Sequence, residues 1–506
     1  MSETDKKPVV AHLENSSGVT AATVNELQEQ IDQLAMLTPE EFKKEELKLL
    51  RKIDFTLMPM LFCLMVLNYL DRNALAGARV QGIEADLGMV GTDFNIAISV
   101  LFAGYICGQL PSNMILSKSR PSIYLSCCVM LWGMVSLSTG FVHNFHQLLA
   151  VRVLLGLLEA PFFPGALFIL SSWYTKREIS FRTAILYLGS LLSGAFSGFI
   201  AAGVEANLHM KLGYESWRWV FIIEGAITGA FAILALFVLP DYPATTKRLS
   251  VRERAMAVYR LEADTGVRDE GDGTTMLHNL KLALCDWKLW ALAVITACKT
   301  TASAFTQFMP TVIQTFKFNR INTLLLTAPP YIVAAIFSLI LSRLSDRKPE
   351  RCFHFCIPLM FGMLGFIIAA ATTNVAARYF SIFLMLSGLH GNFNILLAWY
   401  SGCFPRPRAK RAMAIAIINA LGNIAQIWSP YMWPKSDGPK YSTAFITNIV
   451  MTALAICLCI TLRFFLGRAN AQMDREEAEW QEDEKSVGLD GESGRPAFEK
   501  KPRFVL

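Results

Sequence analysis

The chain has 506 residues, of which 53% are hydrophobic and 17% are charged, with a formal net charge of +6. Soluble proteins carry roughly a quarter charged residues. Apolar stretches of about 20 residues, the length of a membrane-crossing helix, recur along almost the whole chain. The basic residues lie in short blocks between these stretches, which excludes a nucleic-acid-binding protein. The composition predicts an integral protein of the lipid bilayer.

Twelve apolar segments are predicted to be transmembrane helices. Six precede a polar stretch in the middle of the chain and six follow it. The predicted spans are 54–70, 94–116, 121–141, 147–172, 182–203, 219–239, 287–313, 322–342, 352–372, 378–401, 411–430 and 442–466. The expected fold class is therefore an all-α polytopic membrane protein built from two six-helix halves.

Five regions follow from this pattern. They are an N-terminal tail (1–47), a first bundle (48–240), a linker (241–286), a second bundle (287–467) and a C-terminal tail (468–506). Thr38 and Ser250 are each followed three residues later by Glu, a capping-box pattern that predicts a helix start before the first span and another within the linker. The last region is acidic, then rich in Gly and Lys, and its composition predicts disorder.

The distribution of Lys and Arg predicts the orientation. The connections on the N-terminal side of the membrane hold roughly three times as many basic residues as those on the other side, and cytoplasmic loops are enriched in Lys and Arg. Both termini are therefore predicted to be cytoplasmic. The polar start of the chain contains no apolar segment of the kind that forms a cleavable signal peptide.

A few ionisable residues fall inside the predicted spans. An ionised group at the bilayer centre costs roughly 2.5–3.5 kcal/mol on insertion scales, so each is a functional candidate. Arg152 and Glu159 lie seven residues apart on the fourth span, which places them on one helix face about 10 Å apart along the axis. This spacing suits a proton site at Glu159 and an anion site at Arg152 in one cavity, without a direct pair. The alternative is that both residues only tie helices together.

Two further ionisable residues in the spans, Glu224 and Lys299, are less informative. We interpret Glu224 as structural. Lys299 could carry substrate charge, bond to backbone carbonyls or mark a slightly misplaced span, and these alternatives stay open.

Neutral hydrogen-bonding residues form a second group of candidates. Asn419, Asn423 and Gln426 are spaced i, i+4 and i+7 on the eleventh span and make one polar stripe. Other candidates in the spans are Tyr69, Tyr105, Gln307, Asn392 and Asn394. Each could contact substrate or instead join two helices by a hydrogen bond, which contributes only ~0.6 kcal/mol on average in a membrane.

The residues needed for enzyme chemistry are not grouped in the sequence. Most of the eleven cysteines lie inside apolar stretches, and they form no CxxC pair or metal-ligand spacing. His143, His146 and His390 have no evident nucleophile or metal-binding partner. We therefore expect no enzyme activity, no metal and no cofactor.

Several motifs narrow the class. The first span ends in Asn68-Tyr69-Leu70-Asp71-Arg72, and the fourth contains Arg152, Gly156, Glu159, Pro161 and Pro164. Two six-helix halves with buried charges resemble the major facilitator superfamily. Two further motifs are Ser345-Asp346-Arg347 and the segment Gln109-Leu110-Pro111-Ser112-Asn113. Together, these motifs resemble those of the anion:cation symporter family within this superfamily. They are similar in particular to the motifs of its fungal branch of allantoate, nicotinate, pantothenate and biotin permeases. The resemblance covers roughly residues 48–466.

The resemblance implies roles for individual residues. Arg72 matches the arginine that grips the substrate carboxylate, and Asp71 beside it contributes to proton coupling. Glu159 matches the proton carrier, with Arg152 as its charge partner. The remaining roles are substrate contacts at Tyr69, Tyr105 and either Asn419 or Asn423, and a cytoplasmic gate at Asp346 and Arg347. The first half departs from the general gate motif, because Pro111-Ser112-Asn113 replaces its acidic residue.

The predicted function is proton-coupled uptake of a small organic carboxylate anion, vitamin-like or allantoate-like, across the plasma membrane by alternating access. One alternative is proton-driven efflux of a metabolite or drug, against which the absence of a Gly-Pro pair in the fifth span weighs modestly. Another is a nutrient sensor that binds without transporting, which the short tails disfavour. The expected partners are the organic anion, protons and the bilayer.

Overall fold

The computed structural model describes residues 21–116, 119–246, 248–265, 276–347, 350–404 and 408–487. Regular secondary structure in these ranges is helical. Ten helices have the length and hydropathy to cross a membrane. Two more helices, Asp93–Leu116 and Arg408–Trp428, occupy the second and eleventh predicted spans. The predicted all-α polytopic fold is confirmed.

The first six spans are close to the predicted segments. They are Pro39–Gln81 (span 1), Asp93–Leu116 (span 2), Pro121–Thr139 (span 3), Phe145–Glu159 with Phe162–Trp173 (span 4), Lys176–Leu208 (span 5) and Ser216–Val238 (span 6). Span 4 is interrupted just before Phe162 because Pro161 has no backbone N–H and its ring crowds the preceding turn.

Three of the second six spans are interrupted by short breaks. The six are Trp287–Ser303 with Phe305–Gln314 (span 7), Arg320–Leu325 with Ala328–Asp346 (span 8), Cys352–Ala371 (span 9), Val375–His390 with Phe393–Cys403 (span 10), Arg408–Trp428 (span 11) and Ser442–Val487 (span 12). Discontinuous helices are common in transporters, where freed backbone groups line cavities.

Outside the membrane, both predicted capping boxes are formed. Thr38 accepts from the backbone N–H of Glu41, and the Glu41 carboxylate accepts from Thr38, so span 1 begins well before its apolar segment. In the linker, the backbone N–H of Ser250 donates to Glu253 at 2.8 Å, and helix Val251–Thr265 follows. These helix starts are therefore confirmed.

The C-terminal region differs from the expectation of disorder over residues 468–487. Span 12 continues without a break to Val487. This stretch contains no Gly or Pro, and extending a formed helix avoids the unfavourable nucleation step. Gln472 also donates to Glu476 one turn further on, at 3.3 Å. Residues 488–506 lie outside the described ranges.

The chain divides into two compact units. The first comprises Met1–Glu270 with Pro310–Pro329, and the second Gly271–Met309 with Pro330–Leu506. In the first unit, span 1 packs against spans 5 and 6, span 2 against span 4, and span 3 against span 6. In the second, span 9 packs against spans 10 and 12, and span 7 against spans 11 and 12.

Large apolar side chains cover the outside of both units. Phe237 in span 6 is 69% exposed and Phe380 in span 10 is 59% exposed. Soluble proteins rarely leave wide apolar patches in water. These surfaces therefore face lipid.

Four ion pairs among the described residues fix the linker helix to the rest of the first unit, and one of them joins Arg260 to Glu46 at 3.6 Å. Arg252 pairs with Glu45 at 2.7 Å and Lys52 with Glu253 at 2.8 Å, both joining the linker helix to the N-terminal part of span 1. Arg260, whose side chain is 2% exposed, pairs with Glu178 at 2.8 Å near the start of span 5. The linker helix is therefore a docked part of this unit.

Candidate functional site

Three carboxyl and two guanidinium side chains of spans 1, 4 and 6 interact electrostatically in the first unit. We call them the buried charge group, and its members are Asp71, Arg72, Arg152, Glu159 and Glu224. Asp71, Glu159 and Glu224 are 0% exposed and Arg152 is 1% exposed, while the Arg72 side chain retains 10%. Burying so many charges is costly unless they compensate one another. Their pairing therefore determines what the site can do.

The strongest interaction in the group joins Arg72 of span 1 to Glu159 of span 4. Nε of Arg72 donates to Oε2 of Glu159 at 2.6 Å. The resemblance assigned Arg152 as the charge partner of Glu159, and the structure places Arg72 there instead. The reason is geometric: Arg152 lies two helical turns back on the same helix, whereas Arg72 comes from a facing helix. The expectation that Arg152 and Glu159 do not pair directly agrees with this arrangement.

Aromatic rings surround the Arg72 guanidinium. Its Cζ atom lies 4.7 Å from the ring centroid of Tyr105, 5.2 Å from that of Tyr69 and 6.0 Å from that of Phe102. Such contacts attract the cation to the ring faces and stabilise it by about 2 kcal/mol when water is excluded. The two predicted tyrosines are thus next to the predicted arginine. Phe102 was not predicted, although it lies one turn before Tyr105.

Glycines allow span 2, which carries Tyr105, to lie directly against span 4. A Cβ atom on Gly156 would overlap the carbonyl oxygen of Leu101 and come within 2.9 Å of the Tyr105 backbone nitrogen. Gly108 is similarly close to span 4, with its virtual Cβ 2.9 Å from the Leu157 carbonyl oxygen. This close approach places the Tyr105 ring beside the Arg72–Glu159 pair.

Asp71 faces span 3 and not the Arg72–Glu159 pair, since neighbouring residues of a helix point about 100° apart. Nε1 of Trp132 donates to Oδ2 of Asp71 at 3.0 Å, and Oγ of Ser136 donates to Oδ1 at 2.5 Å. Trp132 and Ser136 were not predicted. The available signal was their i, i+4 spacing, which puts two hydrogen-bond donors on one face of the helix.

Arg152 of span 4 interacts electrostatically with Glu224 of span 6. The Arg152 Cζ atom lies 5.4 Å from the ring centroid of Phe221, which precedes Glu224 by one turn. Within the described part of the chain, Nε and Nη2 of Arg152 and both carboxyl oxygens of Glu224 make no hydrogen bond. Arg152 interacts electrostatically with Glu159, Asp71 and Glu224.

The predicted substrate contacts of the second unit are neutral side chains, and all but one are half-buried. Asn392 is fully buried and its Nδ2 donates to the Phe355 carbonyl at 3.1 Å, which joins span 10 to span 9. This bond favours the helix-joining interpretation for Asn392. Gln307, Asn419 and Asn423 are half-buried and stay predictions as substrate contacts.

Lys299, whose role was left open, is a buried cation of the second unit. It is 5% exposed, and its Nζ lies 5.0 Å from the ring centroid of Phe393. The structure therefore confirms that this position lies in the interior of span 7, so a misplaced span does not explain it.

The predicted gate residues lie at the end of span 8. Arg347 is exposed, and the side chain of Asp346 lies outside the described part of the structure. Two contacts that were not predicted occur nearby, between Arg351 and the Ser345 hydroxyl at 2.6 Å and between Arg463 and Glu350 at 3.2 Å. Among the described residues, no three His, Cys, Asp or Glu side chains are grouped so as to hold a metal ion.

Comparison with known proteins defines the family. The Major Facilitator Superfamily model matches residues 61–430. An uncharacterized transporter of Schizosaccharomyces pombe is 31% identical over 430 residues, which cover 85% of this chain and 88% of that protein. The major facilitator-type transporter hxnP of Emericella nidulans is also 31% identical, over 447 residues with the same coverage.

Solved structures share the fold at low sequence identity. A bacterial homolog of the human lysosomal transporter Spinster gives a TM-score of 0.64 at 14% identity, covering 81% of this chain and 97% of that one. The xylose transporter XylE of E. coli gives 0.62 at 11% identity, covering 79% and 97%. The chain therefore belongs to the Major Facilitator Superfamily. It is a multi-pass membrane transporter and not an enzyme, with twelve helices in two six-helix halves.

Proposed function

We propose that the protein is a proton-coupled symporter that takes up a small organic carboxylate across the plasma membrane, with both termini cytoplasmic. We place it in the anion:cation symporter family, close to the fungal permease branch. The observation that supports this proposal is the buried Arg72–Glu159 pair, in which a guanidinium with aromatic walls is held by a carboxylate at 2.6 Å. A substrate carboxylate has the same chemistry as the group now bound to Arg72.

In the proposed cycle, the substrate carboxylate displaces Glu159 from Arg72. The planar guanidinium can bind a carboxylate through two parallel N–H donors, which fixes the orientation of the substrate. The walls formed by Tyr69 and Tyr105 limit the space around that contact, and their hydroxyls are available to polar groups of the substrate. The substrate is thus a small molecule with one terminal carboxylate.

Displacement leaves Glu159 buried without its cation. An ionised carboxylate in that position is strongly disfavoured, and protonation removes the charge. Substrate anion and proton would therefore enter together, and neutralising both charges lowers the cost of moving the loaded site through the membrane interior. Asp71 would support the same coupling from the span 3 side, where Trp132 and Ser136 hold it.

Uptake of radiolabelled carboxylates tests the function. The full-length protein would be expressed in yeast lacking its own carriers, with nicotinate, pantothenate, biotin, allantoate and a dipeptide as probes. We expect one probe to accumulate at acidic external pH, and its accumulation to collapse with a protonophore. If none accumulates despite surface expression, import is contradicted. Inside-out vesicles would then distinguish the two alternatives. An exporter would accumulate a probe inside these vesicles, whereas a sensor would bind the probe without accumulating it.

Matched variants test the roles of the pair. Glu159→Gln keeps the shape of the side chain but cannot carry a proton, so we expect it to exchange substrate across the membrane without accumulating it. Arg72→Lys keeps the charge but loses the two-donor geometry, so we expect weaker substrate binding with coupling retained. Uphill accumulation by Glu159→Gln with normal pH dependence would show that Glu159 is not the proton carrier.

A further inference from the structure

We propose that Glu224 carries a resident proton, which keeps the buried charge group neutral so that each monocarboxylate is transported with one proton and without net charge. The inference rests on the proposed function and deepens it by assigning a stoichiometry. It begins from the three carboxyls and two guanidiniums of the buried charge group, which cannot all be ionised without leaving one negative charge uncompensated. The contacts of each carboxyl indicate which of the three lacks a compensating positive charge.

Two of the three carboxyls accept hydrogen bonds that favour their ionised form. Glu159 accepts a hydrogen bond from the Arg72 guanidinium at 2.6 Å. Asp71 accepts from a donor on each oxygen, the Trp132 indole N–H and the Ser136 hydroxyl, and it also interacts electrostatically with Arg152. Hydrogen bonds donated to a carboxylate favour its charged form. We therefore assign Arg152 as the cation that balances the charge of Asp71, and Arg72 as the cation that balances the charge of Glu159.

Glu224 has neither a donor nor a cation of its own. It is 0% exposed, and among the described residues neither of its oxygens has a hydrogen-bond partner. Two ionisable groups lie in electrostatic reach of Glu224. Asp71 repels a second negative charge, and the positive charge of Arg152 is already partly balanced by Asp71. An isolated buried carboxylate neutralises itself by taking a proton.

Spans 1, 3 and 5 pack on span 6 and bring no further charge into electrostatic reach of Glu224. Span 1 carries Asp71, which repels a second negative charge, Arg72, which pairs with Glu159, and Arg79, which pairs with Glu84 at 2.8 Å. Span 3 packs closely against span 6 and contains no Asp, Glu, Lys or Arg. On this side Gly225 lies against Leu137, and Thr228 against Gly133, so the environment of Glu224 on span 3 is apolar. Span 5 carries its charged residues near its ends, at Lys176 to Arg182 and at Glu205. Glu224 is therefore best accommodated as a neutral carboxylic acid.

The consequence concerns charge movement. When a monocarboxylate occupies Arg72, Glu159 takes the coupling proton and Glu224 keeps its own, so the loaded and empty forms of the group are both neutral. If Glu224 instead released its proton in each cycle, two protons would enter with each anion. One positive charge would then cross the membrane, and uptake would respond to the membrane potential.

Two measurements test this assignment. The first is infrared spectroscopy of the purified full-length protein in liposomes, which detects the carbonyl stretch of protonated carboxyls. We expect the wild type at neutral pH to show such a band, Glu224→Gln to lose it, and Glu159→Gln to retain it. Persistence of the band in Glu224→Gln would overturn the assignment. This readout needs no substrate, so it is independent of the proposed function.

The second measurement is uptake into the same liposomes under a potential set by potassium and valinomycin. We expect pH-driven uptake of the accumulated carboxylate to be unaffected by the potential. Because the side chain introduced by Glu224→Gln is neutral like a protonated carboxyl, we expect uptake by this variant to keep the same proton dependence and the same insensitivity to the potential. Uptake driven by an inside-negative potential, or loss of proton dependence in Glu224→Gln with substrate exchange intact, would overturn the resident proton. A wild type with no proton-driven uptake would instead contradict the proposed function.

Discussion

The interiors of the two units differ in how they satisfy buried polar groups. In the first unit, charged side chains from different spans compensate one another, as Arg72 and Glu159 do at 2.6 Å. In the second, the contacts between spans are mostly neutral, for example Asn392 to the Phe355 carbonyl at 3.1 Å and the Thr296 and Tyr400 hydroxyls to each other. Only a group whose charge changes can couple a proton to a substrate. We therefore assign the proposed proton coupling to the first unit.

Besides Arg378, which is buried and donates to backbone carbonyls, Lys299 departs from this pattern. It is a buried cation in the second unit, set against an aromatic ring. Its role in substrate binding stays a prediction.

The largest expected effect follows from changing the charged pair. Arg72→Lys replaces a planar two-donor group by a point charge, and the loss of one charge-assisted hydrogen bond should raise the KM for substrate by about 10- to 100-fold. The second-unit counterpart is Ser338→Ala, which removes a neutral bond to the Gly391 carbonyl and should change KM by less than about threefold. Uptake kinetics normalised to surface expression measure both. Equal effects would remove the distinction between the units.

A second prediction concerns the close approach of spans 2 and 4. Gly156→Ala introduces a Cβ atom where the Leu101 carbonyl and Tyr105 nitrogen already lie, so the helices must separate. Overpacking of this kind costs about 1–3 kcal/mol. Gly203→Ala is the matched control, because nothing lies within 4 Å of its Cβ position on span 5. We expect only the first variant to lower the melting temperature in detergent, and equal melting temperatures would contradict the packing described.

A third prediction tests the donors to Asp71. Ser136→Ala removes a hydrogen bond to a buried carboxylate, which costs about 1.5–3 kcal/mol. Ser138→Ala, on the exposed side of the same helix, removes only a local bond to the Val135 carbonyl. Thermal unfolding and the pH profile of uptake should change in Ser136→Ala and stay unchanged in Ser138→Ala. If both variants behave like the wild type, Asp71 does not depend on span 3.

The smallest effect is expected outside the membrane, at the Lys52–Glu253 pair. Partial burial raises the pKa of Glu253, but hydrogen bonds from Lys52 and Ser250 outweigh it and hold the pKa below its ordinary value. The pair therefore stabilises the linker helix at neutral pH, and this contribution is lost as the pH falls through the lowered pKa. Because the pair is partly exposed, Glu253→Gln should cost less than about 1 kcal/mol near neutrality. The melting temperatures of the wild type and of Glu253→Gln should therefore differ at neutral pH and become equal at acidic pH. A difference that stays constant with pH would contradict this prediction.

The fold was readable from the sequence because it depends on local patterns. The spans follow from runs of apolar residues, and the helix starts at Thr38 and Ser250 follow from capping boxes. The exception is the helical stretch 468–487, where a polar composition suggested disorder. There the continuity with span 12 supplies what the local sequence lacks, a formed helix to extend.

The candidate site could be predicted only in part. Glu159 and the two tyrosines were candidates because they are polar residues in apolar spans, and the family motifs added the role of Arg72. The structure brings the four together. The pairing itself was not predictable, because which cation faces Glu159 depends on the rotation of span 1 against span 4. The same holds for Trp132 and Ser136, whose role depends on the packing of span 3 against Asp71.

The most direct test of proton coupling at Glu159 is to record the pH of an unbuffered medium while substrate is added to de-energised cells. Wild-type cells should alkalinise the medium as the carboxylate enters with its proton. Cells carrying Glu159→Gln should exchange labelled substrate without any change in pH. Alkalinisation by Glu159→Gln equal to that of the wild type would contradict the claim that the Arg72–Glu159 pair couples the proton to the carboxylate.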